Sequence, residues 1–295
     1  MGIEFRKDIV TLIPRASSPH KRFGELGFEE IRNLSQYLTK EERLVPYSDM
    51  YDQEEAISPE QRAVIEGPPM DVRDAFSLED YGAHMNQAGN CKVENGYCVL
   101  PDGVTYSAVR IEKPGQTNEK MDFFNREFGK TGALAYKLWC PGSHYFQYTD
   151  GAIEDFGYGL MNMKMVSDDP VFSNGIDVRL LGIDLEKVEE RDPACRWIAG
   201  NYWQNYPVLE HGIAEKPIDI VIVNYMRQTP DGREHRIRLY AGVAVKDGKL
   251  VRTGLPEDLS PLECARCNMR HLMLEYGNEA RIVNQFWERY GKKPD

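Results

Sequence analysis

The sequence predicts an α+β protein in which an antiparallel sheet wraps over one long C-terminal helix. Three observations lead there. From Cys91 onward, β-rich runs alternate with tight turns. The chain then closes in a single helical segment from about Pro261 to Tyr290. The first ninety residues, by contrast, hold only short helical stretches broken by turns. A curved sheet packed on a helix in this way leaves room for a cavity between them.

Each element has its own local signal. FGELGFEEIRNLSQYL sets Phe28, Ile31, Leu34 and Leu38 at helical spacing. Ser58-Pro59-Glu60 reads as an N-cap followed by proline at the first helical position. Ser77 and Asp80 have capping-box spacing before LEDYGAHM. These helices are short and weakly amphipathic, so they need a partner surface. Next, VENGYCVLPDGVTYSAVRIEK carries two strands around the turn Pro101-Asp102-Gly103. A helix opened by Thr117 runs through MDFFNREF, and ALAYKLW is predicted as a short strand. GAIEDFGYGLMNMKMV and GIDVRLLGIDL follow as further strand candidates. PIDIVIVNYMRQ and REHRIRLYAGVAV flank Thr229-Pro230-Asp231-Gly232 and should form a hairpin. The domain boundary is therefore placed between a helical part, residues 1–88, and a sheet-and-helix domain, residues 89–295.

Composition narrows the function classes. Lys and Arg number 36 against 47 Asp and Glu, a formal net charge of −11. That balance argues against a nucleic-acid groove or an anionic membrane as the main partner. No apolar run reaches the length of a membrane span. The start MGIEFRKDIVTLIPR has no signal-peptide core, and six cysteines are too sparse for a disulfide framework. A cytoplasmic, reduced protein is expected. No Walker loop, GxSxG or dinucleotide fingerprint is present.

The residues that could carry chemistry lie chiefly on the last helix. His271 and Glu275 are four apart, so both project from one face and could chelate a divalent cation. Spacing alone leaves the pair ordinary, since such pairs are common on solvated helix faces. Cys264 and Cys267 extend the same stripe and point to a buried face, where a glutamate needs a partner. The cysteines themselves read either as zinc ligands or, the favoured reading, as small core residues facing the sheet. Glu154 stands out as a carboxylate in a strand-like apolar context. His144 follows a strand candidate in LWCPGSHYF, and alone is more often a turn histidine. His20 and His211 read as exposed, and His235, among the charges of REHRIRLY, as part of a solvated strand face.

At these residues the chain resembles the diacetylphloroglucinol hydrolase and phloretin hydrolase family, zinc enzymes that cleave a carbon–carbon bond between an acyl group and a phenolic ring. The similarity runs from Glu94 to Ala280 in five ordered pieces: ENGYCVLPDGVTYSA, PGQTNEKMDFF, AYKLWCPGSH, NYMRQTPDGREHRIRLYAG and HLMLEYGNEA. The resemblance implies a helix-grip domain like that of the pollen-allergen and lipid-transfer proteins, with the helical N-terminal part used in homodimerisation. It implies His271, Glu275 and Glu154 as metal ligands, zinc as the cofactor, and a small phenolic ketone or polyketide as substrate. Manganese or iron would also suit such a donor set. The family's remaining histidine ligand falls here on Phe128, beside Glu127, which leaves His144 or Glu127 to replace it, or three protein ligands plus water, or a site that has lost its metal. The family's catalytic histidine falls on Asn224, and its phenol-binding tyrosines on Lys120 and Leu239.

The expected activity is thus metal-dependent hydrolysis of an acyl–aryl carbon–carbon bond. Asn224 would stabilise an oxyanion, Glu154 would serve at the metal, and Tyr240, with Tyr136, Tyr158 and Tyr225, is available to hold phenolic hydroxyls. Two alternatives keep the fold: an isomerase, cyclase or decarboxylase on a phenolic compound, or a non-catalytic binder of an aromatic ligand.

Overall fold

The computed structural model describes residues 38, 40–53, 56–128, 133–141, 144–149, 153–157, 161–163, 176–204, 207–208, 212–213 and 218–291. Helices α1 (Pro59–Glu66) and α2 (Tyr81–Met85) precede strands β1 (Gly96–Val99) and β2 (Thr105–Pro114). Then come α3 (Asn118–Phe128), α4 (Ala133–Trp139), β3 (His144–Thr149), β4 (Ile153–Gly157) and β5 (Met161–Met163). Helix α5 (Leu185–Arg191) leads into β6 (Arg196–Gln204), the short pair β7 (Pro207–Val208) and β8 (Gly212–Ile213), and β9 (Ile218–Thr229). Strands β10 (Gly232–Ala241), β11 (Val243–Lys246) and β12 (Lys249–Arg252) precede α6 (Pro261–Tyr290). Of β3, β4 and β5 only the backbone is described. No helix among the described residues is long and apolar enough to cross a membrane.

Eight strands form one antiparallel sheet in the order β1-β2-β10-β9-β6-β5-β4-β3. The α+β class, with an antiparallel sheet and a long C-terminal helix, is as the sequence predicts. The β9–β10 hairpin is its spine, paired from Thr229↔Gly232 to Ile220↔Ala241. Pro230 and Asp231 make the turn, and Gly232 (φ +153°) follows where a Cβ would lie 2.2 Å from the Lys113 carbonyl. Only glycine lets β2 approach this closely, and that approach brings Lys113 beside the hairpin.

Strand alternation divides the sheet's contacts into two cores. On one face Ile220, Ile222, Ile237, Leu239, Val109 and Ile111 pack against Met269, Leu272 and Met273 of α6. On the other, Val221, Val223, Tyr225, Tyr240, Trp197 and Tyr106 pack under Phe76, Tyr81, Met85 and the segment from Ile176 to Val188. A third cluster joins Tyr47, Met50, Phe123, Phe124 and Leu138 to Ile282 and Phe286 at the end of α6. The described part of residues 1–88 therefore packs in two places, against α6 and against the outer sheet face.

Helix α6 begins where its signals lie: the Ser260 hydroxyl accepts from the Glu263 N–H, and Pro261 occupies the first turn. Gly277 interrupts it without breaking it, because a Cβ there would come within 2.5 Å of the Ala56 carbonyl. The Ser58 capping box of α1 is complete, with Ser58 and Gln61 bonding each other's backbone.

Two strand expectations give way to helix. ALAYKLW is α4, because Leu134 and Leu138, four apart, both bury against the third cluster. GIDVRLLGIDL is a 3₁₀ turn, Val178–Leu181, followed by the start of α5. Asp177 and Asp184 cap these by accepting from the Arg179 and Lys187 N–H groups, which favours a helical start over an extended one.

Candidate active site

The inward face of α6 changes character along its length. Its first half meets the sheet through Ala265, Met269 and Leu272. From there a polar line begins, with His271 6% exposed, Glu275 9% and Glu279 5%. Intervals of four residues keep the three on one side of the helix. His271 Nε2 and Glu275 Oε2 lie 3.5 Å apart. Burial, aided by the Arg270 charge, pushes the His271 pKa down to about 4. The ring is therefore neutral at pH 7, the form that ligates metals.

The sheet answers with its own polar groups. Lys113 Nζ pairs with Glu279 Oε1 at 2.8 Å, both side chains almost fully buried. Burial lowers the Lys113 pKa and Glu279 opposes that. The ammonium also lies 5.4 Å from the centre of the Tyr276 ring. His235 meets the same ring edge-on, with centroids 4.5 Å apart. His235 is 3% exposed, and its Nε2 is 2.9 Å from Asn224 Oδ1. Asn224 Nδ2 in turn donates to the Ile198 carbonyl at 3.3 Å. Burial first, then the charges of Lys113 and Arg233, hold the His235 pKa well below its ordinary value.

This corrects the reading of His235 as solvated. All ten residues of β10 are buried. The charges that suggested a wet strand are paired: Glu234 with Arg236 on the same strand and with Arg110 and Arg227 on β2 and β9, and Arg238 with Glu94. The overlooked signal is alternation, since Ile237 and Leu239 share a face with Arg233 and His235, and an apolar face packs inward.

The expected site residues are sorted accordingly. His271, Glu275 and Asn224 are all buried, and Asn224 reaches α6 through His235 and Tyr276. Tyr240 is not brought to them. It lies in the outer core, 5.4 Å ring to ring from Tyr106, because it alternates with Leu239. Tyr225 is there too, its hydroxyl donating to Asp192. His144 lies on β3 and Glu154 on β4, opposite Asn162; their side chains, with those of Tyr136, Glu127 and Phe128, fall outside the described residues, as do His20, Tyr158 and His211. Among the described residues no group of three or more His, Cys, Asp or Glu could hold a metal. Cys264 is a buried neighbour of Met269 whose thiol is pushed up to about 12 by burial, whereas Cys267 turns towards Glu263. The two therefore do not converge.

A family model for the DAPG hydrolase PhiG domain matches residues 76–288, from the outer-face helix α2 through nearly all of α6. The chain belongs to this family. Phloretin hydrolase from Eubacterium ramulus is 25% identical over 108 residues. That stretch is 36% of this chain and 39% of that protein, so the match spans well under half of the relative's length.

In this member of the DAPG hydrolase family, the two positions that the sequence resemblance aligns with phenol-binding tyrosines carry no phenolic hydroxyl. Lys120 Nζ donates to the Gly115 carbonyl at 2.6 Å and to Asn284 at 3.1 Å. Leu239 sits in the apolar core beneath α6. Among the described residues, the polar groups under the second half of the helix include Lys113, Asn224, Arg233, His235, His271, Glu275 and Glu279.

Proposed function

We propose that this chain is a metal-dependent hydrolase that cleaves the carbon–carbon bond between an acyl group and a phenolic ring, within a helix-grip fold. The observation that carries the reading is the His271–Glu275 pair, buried on the inward face of α6 and facing a sheet that supplies a neutral histidine. A buried carboxylate beside a neutral imidazole suits a divalent cation, which would relieve the cost of burying that charge. His271 and Glu275 would hold it, with Glu154 and His144 completing the donor set; zinc is the expected ion. Bound there, it would supply Lewis-acid polarisation of the ketone oxygen and acidify a water to about neutrality.

The chain's own residues supply the surroundings. Burial under α6 excludes bulk water and raises the strength of each electrostatic contact. The Lys113–Glu279 pair neutralises the far end of the carboxylate line. Asn224 uses one amide hydrogen on Ile198, and the second is the donor for a ketone oxygen. The N-terminal helical part is proposed to mediate a homodimer, which sedimentation at two protein concentrations tests.

Metal analysis of the purified protein beside His271→Ala tests the site, with phloretin and monoacetylphloroglucinol as substrates. About one ion per chain is expected, with ion and turnover both lost in the variant. No ion after reconstitution, or full turnover in His271→Ala, would sink the reading.

A further inference from the structure

The hydrogen bonds around Asn224 determine which nitrogen of His235 carries its proton. The Ile198 carbonyl can only accept, so the Asn224 amide nitrogen faces it. Asn224 Oδ1 must then face His235, and an amide oxygen only accepts. His235 Nε2 is therefore the protonated nitrogen, and Nδ1 presents a lone pair. That Nδ1 is buried and has no hydrogen-bond partner among the described residues. A buried acceptor left unmatched is costly, so the position calls for a donor.

Arg233 stands two residues earlier on β10, hence on the same face and roughly 7 Å along the strand. It is buried, yet no carboxylate among the described residues lies within ion-pair distance of it. Among the described residues its guanidinium hydrogen-bonds only the Met226 sulfur, at 3.9 Å, and Glu279 and Asp122 act on its charge from longer range. Lys113, the neighbouring cation, is already matched by Glu279. One face thus offers an unmatched acceptor and an unmatched cation side by side.

We propose that Arg233 and His235 are the ring-recognition pair of this site, taking a polyphenol with one phenolate oxygen on Arg233 and one hydroxyl donating to His235 Nδ1. A singly ionised phloroglucinol-like ring carries both groups on one rigid frame. A carboxylate has no donor for Nδ1, and a plain ketone has neither a donor nor a charge. Lys120 and Leu239 are engaged elsewhere, so the hydroxyls of the ring are left for this pair to read. The identification of the ring rests on the hydrolase reading, whereas the unmatched acceptor and cation do not.

Phloroglucinol is the probe, because it has no scissile acyl bond and its binding does not require turnover. Calorimetry on the full chain should show phloroglucinol binding at least about tenfold tighter than 1,3,5-trimethoxybenzene, which has neither donor nor acidic proton. Arg233→Met and His235→Phe should each weaken phloroglucinol by about tenfold, the worth of one hydrogen bond to a charged or buried partner. Nitrogen NMR of the unaltered protein should find His235 protonated at Nε2, and its Nδ1 resonance should move on saturation with phloroglucinol. This last measurement stands even where a variant fails to fold. An Nδ1-protonated ring, an Nδ1 signal indifferent to phloroglucinol, absence of phloroglucinol binding, or affinities in folded variants within twofold of the parent would each overturn the assignment. Phloroglucinol binding through this pair without hydrolysis of its acylated forms would overturn the hydrolase reading instead.

Discussion

Strand β10 carries two polar clusters, one on each face, and they are built on opposite principles. On the outer face Glu234 accepts from Arg227, Arg110 and Arg236 at 2.6–3.0 Å, Glu94 pairs with Arg238, and Asp192 with Arg191. Every cation there has a carboxylate. Among the described residues the inward face of β10 and its neighbours has one ion pair, Lys113–Glu279, beside an arginine and an imidazole nitrogen whose demands are not met there. Groups with met demands staple strands together; groups with unmet demands wait for a ligand. The same four-residue stretch, Arg233 to Arg236, serves both purposes because neighbouring side chains point to opposite sides.

The largest stability effect is expected from splitting the inward ion pair. Lys113→Met leaves Glu279 charged and buried, and should cost about 3–5 kcal/mol of unfolding free energy. Lys113→Met combined with Glu279→Leu should recover most of that, since an apolar pair of similar volume removes both desolvation costs. A double-mutant cycle by urea unfolding reads the difference. Equal losses in the single and double variants would show that the pair does not act as a unit.

The outer cluster should respond less, because Arg110 and Arg227 retain some contact with solvent. Glu234→Gln should cost about 2–3 kcal/mol at pH 7, as three arginines lose their shared anion. The two faces should also separate by pH. The outer carboxylates, Glu234 and Asp192, have folded-state pKa values lowered from 4.5 and 3.8. For Glu234, burial works against the three arginines, which prevail; for Asp192, burial is likewise outweighed by Tyr225 and the arginines. Their stabilisation is present above the unfolded values and lost as pH falls below about 4.5. The inward His235 is also lowered, from 6.5, but as a buried neutral base. Between its two pKa values the unfolded chain binds the extra proton, so its share of stability is lost as pH falls below about 6.5. Unfolding free energies between pH 7 and 3 should show both limbs, with Glu234→Gln reducing only the lower one and His235→Phe only the upper, whose remainder belongs to His271, lowered to about 4. A single limb common to both variants would collapse the distinction.

How much of this was legible in sequence depended on whether the cause was local. The bounds of α6 could be read because Ser260-Pro261 and Gly291 act on their own neighbours. The hairpin could be read because Pro230-Asp231-Gly232 sets the turn whatever surrounds it. Strand β6 was missed: WIAGNYWQ contains Gly200 and Asn201, both poor strand residues. Asn201 is tolerated because its side chain bonds the Val245 N–H and carbonyl of a strand far along the chain. The burial of His235 was missed for the same reason, since the partners that neutralise its charged neighbours lie on β2, β9 and the loop at Glu94. His271 and Glu275 could be found by spacing, but the pairing of Asn224 with His235 depends on strand register.

The smallest effect should come from Tyr240, a catalytic candidate that the fold turns, like Tyr225, to the outer face. Its hydroxyl is buried among the Tyr81 and Tyr106 rings, and burial raises its pKa well above 10. No partner for that oxygen is present among the described residues. Tyr240→Phe therefore deletes an unmatched polar atom and keeps the ring contacts, and stability should change by no more than about 0.5 kcal/mol. Turnover of acylated phloroglucinols should stay within about twofold of the parent, because no transition-state contact is removed. A tenfold fall in kcat would mean that the outer face reaches the substrate, and the division of β10 into a staple and a binding edge would have to be abandoned.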